Sequence, residues 1–279
     1  MCQFNFCFSS ASFSGNSTSL ENIYANIENL STLKEKINDA AFSETLFRKN
    51  DIYSVDIYNG NQLYEVIYGK VFDFNTEYKQ MLALVVDRAK EYDDVQIDKY
   101  VGLNTIDNES LIYNIDDWIN FHYNSMKDIS DDIQFLECID TYFPKLKFHD
   151  NIVNTLRTLD GGLALFSSSI VQSLMYLENN LDKFIVESSG LPEALQRLTS
   201  ELGLETTLEG DMSRKVKLTF TFQKNNGTAI DIYCEPHIKL SKSSISGDSK
   251  HYNNRIYFYQ GREDVEDKKV LIGHIGGHL

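Results

Sequence analysis

The stretch KVKLTFTFQKNNGTAIDIYCEPHIKL, residues 215–240, decides the class of fold. It opens in strict alternation. Val216, Leu218, Phe220 and Phe222 fall on one side, and Lys215, Lys217, Thr219 and Thr221 on the other. That is the period of a strand with one buried face. Asn225, Asn226 and Gly227 then mark a hairpin, because Asn-Gly tolerates the positive φ that tight turns require. The returning segment alternates as well. Ile230, Ile232, Cys234, Ile238 and Leu240 share the core side, and Asp231, Tyr233, Glu235, His237 and Lys239 the other. Pro236 has no N–H to give a ladder, so the strand is expected to be bulged or at an edge there.

Downstream, RIYFY at 255–259 reads as a third strand, with Ile256 and Phe258 inward and Arg255, Tyr257 and Tyr259 outward. VLIGHI at 270–275 is apolar on both sides, as expected of a central strand. Upstream, Leu191, Leu195, Leu198 and Leu202 stripe a helix that Gly190 and Pro192 open and Gly203 closes. Residues 190–279 are therefore expected to form a small domain, a helix followed by a four-stranded, mainly antiparallel sheet. Residues 1–189 read as a mixed, largely helical domain. Strand-like content appears at 2–10 and 62–72. Helical patterning appears at 19–37, after Asn75, at 131–143 ahead of Pro144, and at 167–185, where Ile170, Leu174, Leu177, Leu181 and Phe184 share a face. The class is α+β.

The chain has 279 residues and a net charge of −15. Residues 201–279 hold 11 basic and 11 acidic side chains, so the whole excess lies in the first 200. An acidic surface repels nucleic acid and acidic membranes at long range. The N-terminal domain is therefore expected to regulate or to bind a basic protein partner. The sequence shows no secretory signal and no apolar stretch of membrane-spanning length. Cys2, Cys7, Cys138 and Cys234 lack paired spacing and read as free thiols in a reducing compartment. A cytoplasmic protein without cofactors is expected.

Four of the 6 histidines lie between residues 237 and 279: His237, His251, His274 and His278. Glu235, His237 and Lys239 project in a row from one strand, and Arg255 and Tyr257 lie on the corresponding face of the next. Metal-free RNA cleavage needs such a set. A carboxylate or imidazole takes the 2′-hydroxyl proton, a second imidazole protonates the leaving oxygen, and Arg or Lys stabilises charge on phosphorus. Glu235, His237, Arg255, His274 and His278 are the catalytic candidates, with Lys239 and Tyr257 binding substrate. The glycines around His274 and His278 would let backbone N–H groups approach a phosphate.

A helix, then an antiparallel sheet carrying RIYF at 255–258 and KKVLIGHIGGHL at 268–279, resembles the RelE-type toxins within the barnase–EndoU–colicin–RelE group of ribonucleases. The resemblance covers the last third of the chain. It implies a ribonuclease toxin or antiviral defence effector, with Arg255, Tyr257, His274 and His278 at the matching positions and the acidic domain as restraint or sensor. Plainer readings stand beside it. The polar row is a solvated strand face, Arg255 is salt-bridged, His274 is a hydrogen-bonded core residue, His251 is exposed, and His278 belongs to a disordered end. A non-enzymatic interaction protein is the alternative function. A zinc-dependent hydrolase using His237, His274 and His278 is the third, although Gly276 and Gly277 interrupt any helical pairing of the last two.

Overall fold

A computed structural model describes residues 4–14, 19–37, 44–104, 110–240 and 253–279. His251 lies outside them. Two units divide between Phe121 and His122.

In the first unit, β1 (Asn5–Phe8) leads through α1 (Leu20–Ile37) to a parallel partner, β2 (Thr45–Arg48). A short pair follows, β3 (Asp56–Tyr58) with β4 (Asn61–Gln62), then α2 (Leu63–Tyr68) and α3 (Thr76–Asp87). β5 (Lys90–Glu91) adds outside β2, and β6 (Lys99–Val101) adds on the far side of β1. The four-stranded parallel sheet thus has the order β5-β2-β1-β6, with its direction of growth reversing at β1. α1 buries Ile23, Ile27, Leu30, Leu33 and Ile37, spaced at three and four, in a core shared with Phe6, Phe8, Leu82, Val85 and Val86. α2 corrects the expected strand at 62–72. Gln62 and Glu65 form a capping box, and the Gln62 N–H donates to Glu65 Oε2 at 2.9 Å. That local pairing fixes a helix despite the aromatic and β-branched content.

The division falls inside α4 (Ile115–Lys127). In the second unit α5 (Asp132–Tyr142) ends before Pro144, and β7 (Leu146–Phe148), α6 (Ile152–Leu156), α7 (Leu163–Glu187) and α8 (Leu191–Leu202) follow. α7 buries all five residues of its expected stripe, and α8 ends at Gly203 with φ +75°. The strands are β8 (Thr206–Thr207), β9 (Thr219–Gln223), β10 (Ala229–Tyr233), β11 (His237–Leu240), β12 (Asn254–Tyr259) and β13 (Val270–Gly277). The main sheet has five strands, not four, in the order β7-β13-β12-β11-β8, and β7–β13 is parallel. VLIGHI is central, as its two apolar sides require. The expected 1–189/190–279 division is corrected for the same reason. β7 supplies an edge of this sheet, and α6 and α7 pack on its strands, so residues 122–189 belong with the C-terminal strands.

The segment that opened the reading also divides. β9 and β10 pair as a hairpin in a sheet of their own, and Pro236 separates β10 from β11. Val216 is 85% exposed, because residues 212–218 form a 3-10 turn and further turns rather than strand. The hairpin lies on the sheet. Leu218, Phe222, Ile232 and Cys234 cluster with Tyr257 and Leu271, and the Phe220 ring fills the space where Gly273 has no side chain. Cys7 and Cys234 are buried free thiols, whereas Cys138 is disulfide-bonded, which corrects the expectation of free thiols at that position.

Candidate functional site

Register assembles the site. His237 pairs with Tyr257, and Tyr257 with His274, so three adjacent strands carry one cross-strand row. The next row is Lys239, Arg255 and Gly276. A bulge between Tyr257 and Phe258 absorbs Gly273 and keeps His274 on the face of Tyr257. The opposite face, with Ile238, Leu240, Ile256, Phe258, Ile272 and Ile275, is fully buried.

The first row is not a solvated face. His237, Tyr257 and His274 are buried, because the hairpin covers Tyr257. The His237 ring lies 5.0 Å from that of Tyr257, and His274 lies 5.8 Å from it on the other side. His237 Nδ1 faces the Glu235 carbonyl oxygen at 3.4 Å, and its Nε2 faces Thr207 Oγ1 at 3.4 Å. Burial, with the Arg255 guanidinium beside it, pushes its pKa down to about 4, so the ring is neutral at pH 7. His274 donates from Nε2 to the Gly277 carbonyl at 2.8 Å, and burial lowers its pKa too. It is a hydrogen-bonded core histidine. Its Nδ1 is buried without a hydrogen-bond partner.

The accessible chemistry lies at the rim, and two of its members were not foreseen. Glu209 Oε2 accepts from Arg255 at 3.2 Å, lies 3.6 Å from Arg214 NH1, and lies 3.9 Å from His278 Nε2. Arg214 also contacts His278 directly. Arg255 donates to the Tyr257 hydroxyl at 3.1 Å, which links the rim to the buried row. The side chains of Arg255 and Glu209 are 13% and 12% exposed, and those of Arg214 and His278 are 32% and 25%. Burial, then Arg255 and Arg214, lower the pKa of His278. Burial raises that of Tyr257, which stays a phenol.

Six of the seven expected residues therefore share one face. Glu235 faces His237 with its backbone carbonyl; the carboxylate that meets Arg255 and His278 belongs to Glu209. Lys239 is paired with Glu205 at 2.5 Å. The role expected for the final glycines is corrected. Gly276 is pressed against the Thr155 carbonyl and the Thr158 hydroxyl, and the Gly277 N–H donates to Thr158 Oγ1 at 2.9 Å. These glycines serve close packing on α6, so their backbone is not open to a phosphate. Among the described residues, no three His, Cys, Asp or Glu side chains are grouped to ligate a metal ion. A hollow of about 360 Å³ in the same unit is lined by Asp140, Lys147, His149 and Lys269 and touches none of the site residues. No helix among the described residues is long and apolar enough to cross a membrane. No known protein family, curated protein or solved structure matches the chain.

Proposed function

We propose that the C-terminal unit is a metal-independent ribonuclease-type effector, a toxin or defence enzyme restrained by the N-terminal unit. The observation that carries this reading is the convergence of Arg214, Arg255 and His278 on a single carboxylate oxygen. Two guanidinium groups and a neutral imidazole around one anionic oxygen are what a phosphodiester undergoing transesterification requires. His278 is the least buried of the three imidazoles, and its lowered pKa leaves it neutral, so it accepts the 2′-hydroxyl proton once Arg214 turns from its Nε2 to the phosphoryl group. The 2′-oxygen bonds to phosphorus as the bond to the 5′-oxygen breaks, and that oxygen leaves with a proton from a water, whose hydroxide is neutralised by the proton His278 received. Arg214 and Arg255 hold the phosphoryl charge. Tyr257 fixes Arg255 from below, and His237 packs against Tyr257. The roles first expected of His237 and His274 thus pass from proton transfer to positioning.

The test is growth and RNA integrity after induction of the full chain, alongside His278→Ala and Arg255→Ala. Cleavage should fall about 10²- to 10⁴-fold in each. Undiminished cleavage in both variants would refute the reading.

For the N-terminal unit, the strand order supports a sensing role. Ligands of open parallel sheets bind outside the carboxyl ends of the strands where the order reverses, here between β1 and β6. Ser9 and Ser12 stand at that end of β1, and Ser12 Oγ accepts from the Leu103 N–H at 3.1 Å. Thermal-shift measurements with nucleotides test this role, and a flat response across the set would sink it.

A further inference from the structure

We infer that Glu209 occupies the seat of a substrate phosphate, and that phosphate binding displaces it. The inference rests on the ribonuclease reading for its purpose, but the seat itself can be tested without cleavage. Glu209 Oε2 meets Arg255 at 3.2 Å, Arg214 at 3.6 Å and His278 at 3.9 Å. A phosphate oxygen placed there would meet the same three groups. Planar guanidinium forks accept carboxylate and phosphate oxygens alike.

The surrounding charge favours exchange. Lys217 lies close enough to act on His278, and the guanidinium groups of Arg214 and Arg255 still face the seat when the carboxylate leaves. Arg214 retains a second partner, Asp211 at 3.6 Å, and Arg255 retains Tyr257. Glu209 is thus an internal competitor, holding the arginines in register and keeping stray anions out.

Titration of the full chain with inorganic phosphate, followed by calorimetry, reads the seat directly. Glu209→Gln keeps the side-chain shape and removes the charge. It should bind phosphate at least about tenfold more tightly than the wild type, and adding Arg255→Gln should abolish the gain. Folded Glu209→Gln protein that binds phosphate no more tightly would overturn the inference. If that variant does not fold, Glu209→Asp replaces it. Its shorter carboxylate withdraws from the seat, so an unchanged phosphate affinity would be equally fatal. The two readings fail separately. Tighter phosphate binding without RNA cleavage by any form retains the seat and removes the ribonuclease, whereas cleavage with unaltered phosphate affinity does the reverse.

Discussion

Gly276→Ala is the sharpest test of how the site strand is seated. A Cβ at residue 276 would lie well under 3.0 Å from the Thr155 carbonyl oxygen and the Thr158 hydroxyl. Neither neighbour can rotate away freely, since one is backbone and the other accepts from the Gly277 N–H at 2.9 Å. α6 must therefore retreat by roughly 1 Å to restore van der Waals contact. Overpacking of this kind costs about 1–3 kcal/mol. The strained bonds from Gly277 to Thr158 and from Ile275 to Thr155, 3.4 Å long, add about 1 kcal/mol. Reduced freedom of the unfolded chain returns about 0.4–1 kcal/mol. The net loss is about 1–3.5 kcal/mol, or roughly 2–14 °C in the melting of the C-terminal unit. Calorimetric melting of the full chain measures it, with Gly210→Ala as control because its side chain would enter open space. If Gly276→Ala melts within about 2 °C of the control, the seating of β13 against α6 has been misread.

Three other expectations follow from burial. His237 binds its proton near pH 4 when folded and near 6.5 ordinarily, so between those values the unfolded chain holds more protons. Stability should then be full above pH 6.5 and fall by up to about 3 kcal/mol as the pH drops to 4. His237→Phe should flatten that part of a urea-midpoint profile, and an unchanged slope would contradict the burial of the ring. Glu178 is the opposite case, because burial lifts its pKa from 4.5 to about 7 and the folded protein loses stability as pH rises through that window. Glu178→Gln should gain roughly 1–3 kcal/mol at pH 8 and almost nothing at pH 4.5, as read by denaturant titration at both values. Burial also pushes the Cys234 thiol up, so iodoacetamide should label it only on unfolding, and fast labelling of native protein would show that β10 does not cover it.

Much of the fold was legible where a period runs long enough to be read. The α7 stripe from Ile170 to Phe184, the Gly–Pro opening and Gly closing of α8, and the two-sided apolar run of β13 each repeat a physical requirement several times. β7 could not be read, since Leu146, Lys147 and Phe148 give one alternation and no more. The helix at 63–68 was hidden because its aromatic and branched residues favour strands, and the deciding signal was the single pair Gln62 and Glu65. Of the site, alternation placed His237, Lys239, Arg255 and Tyr257 on one face but could not reveal that a hairpin covers it. That depends on where residues 219–233 fold back. Glu209 and Arg214 lie in LEGDMSRK, residues 208–215, which has no period. Their convergence depends on the turn after β8 and leaves no local trace.

The position of β13 has a consequence for biosynthesis. Among the described residues it joins β7, read near residue 146, to β12, so the five-stranded sheet cannot assemble without it. A ribosome must deliver residues 270–272 before β7 acquires its partner, and residue 274 before Tyr257 gains the third member of the row. Such distant pairing is slow to form and leaves strand edges open while it waits. The nascent chain is therefore incomplete at this site until β13 has been made, and a product terminated before residue 270 would lack both His278 and the strand that supports it.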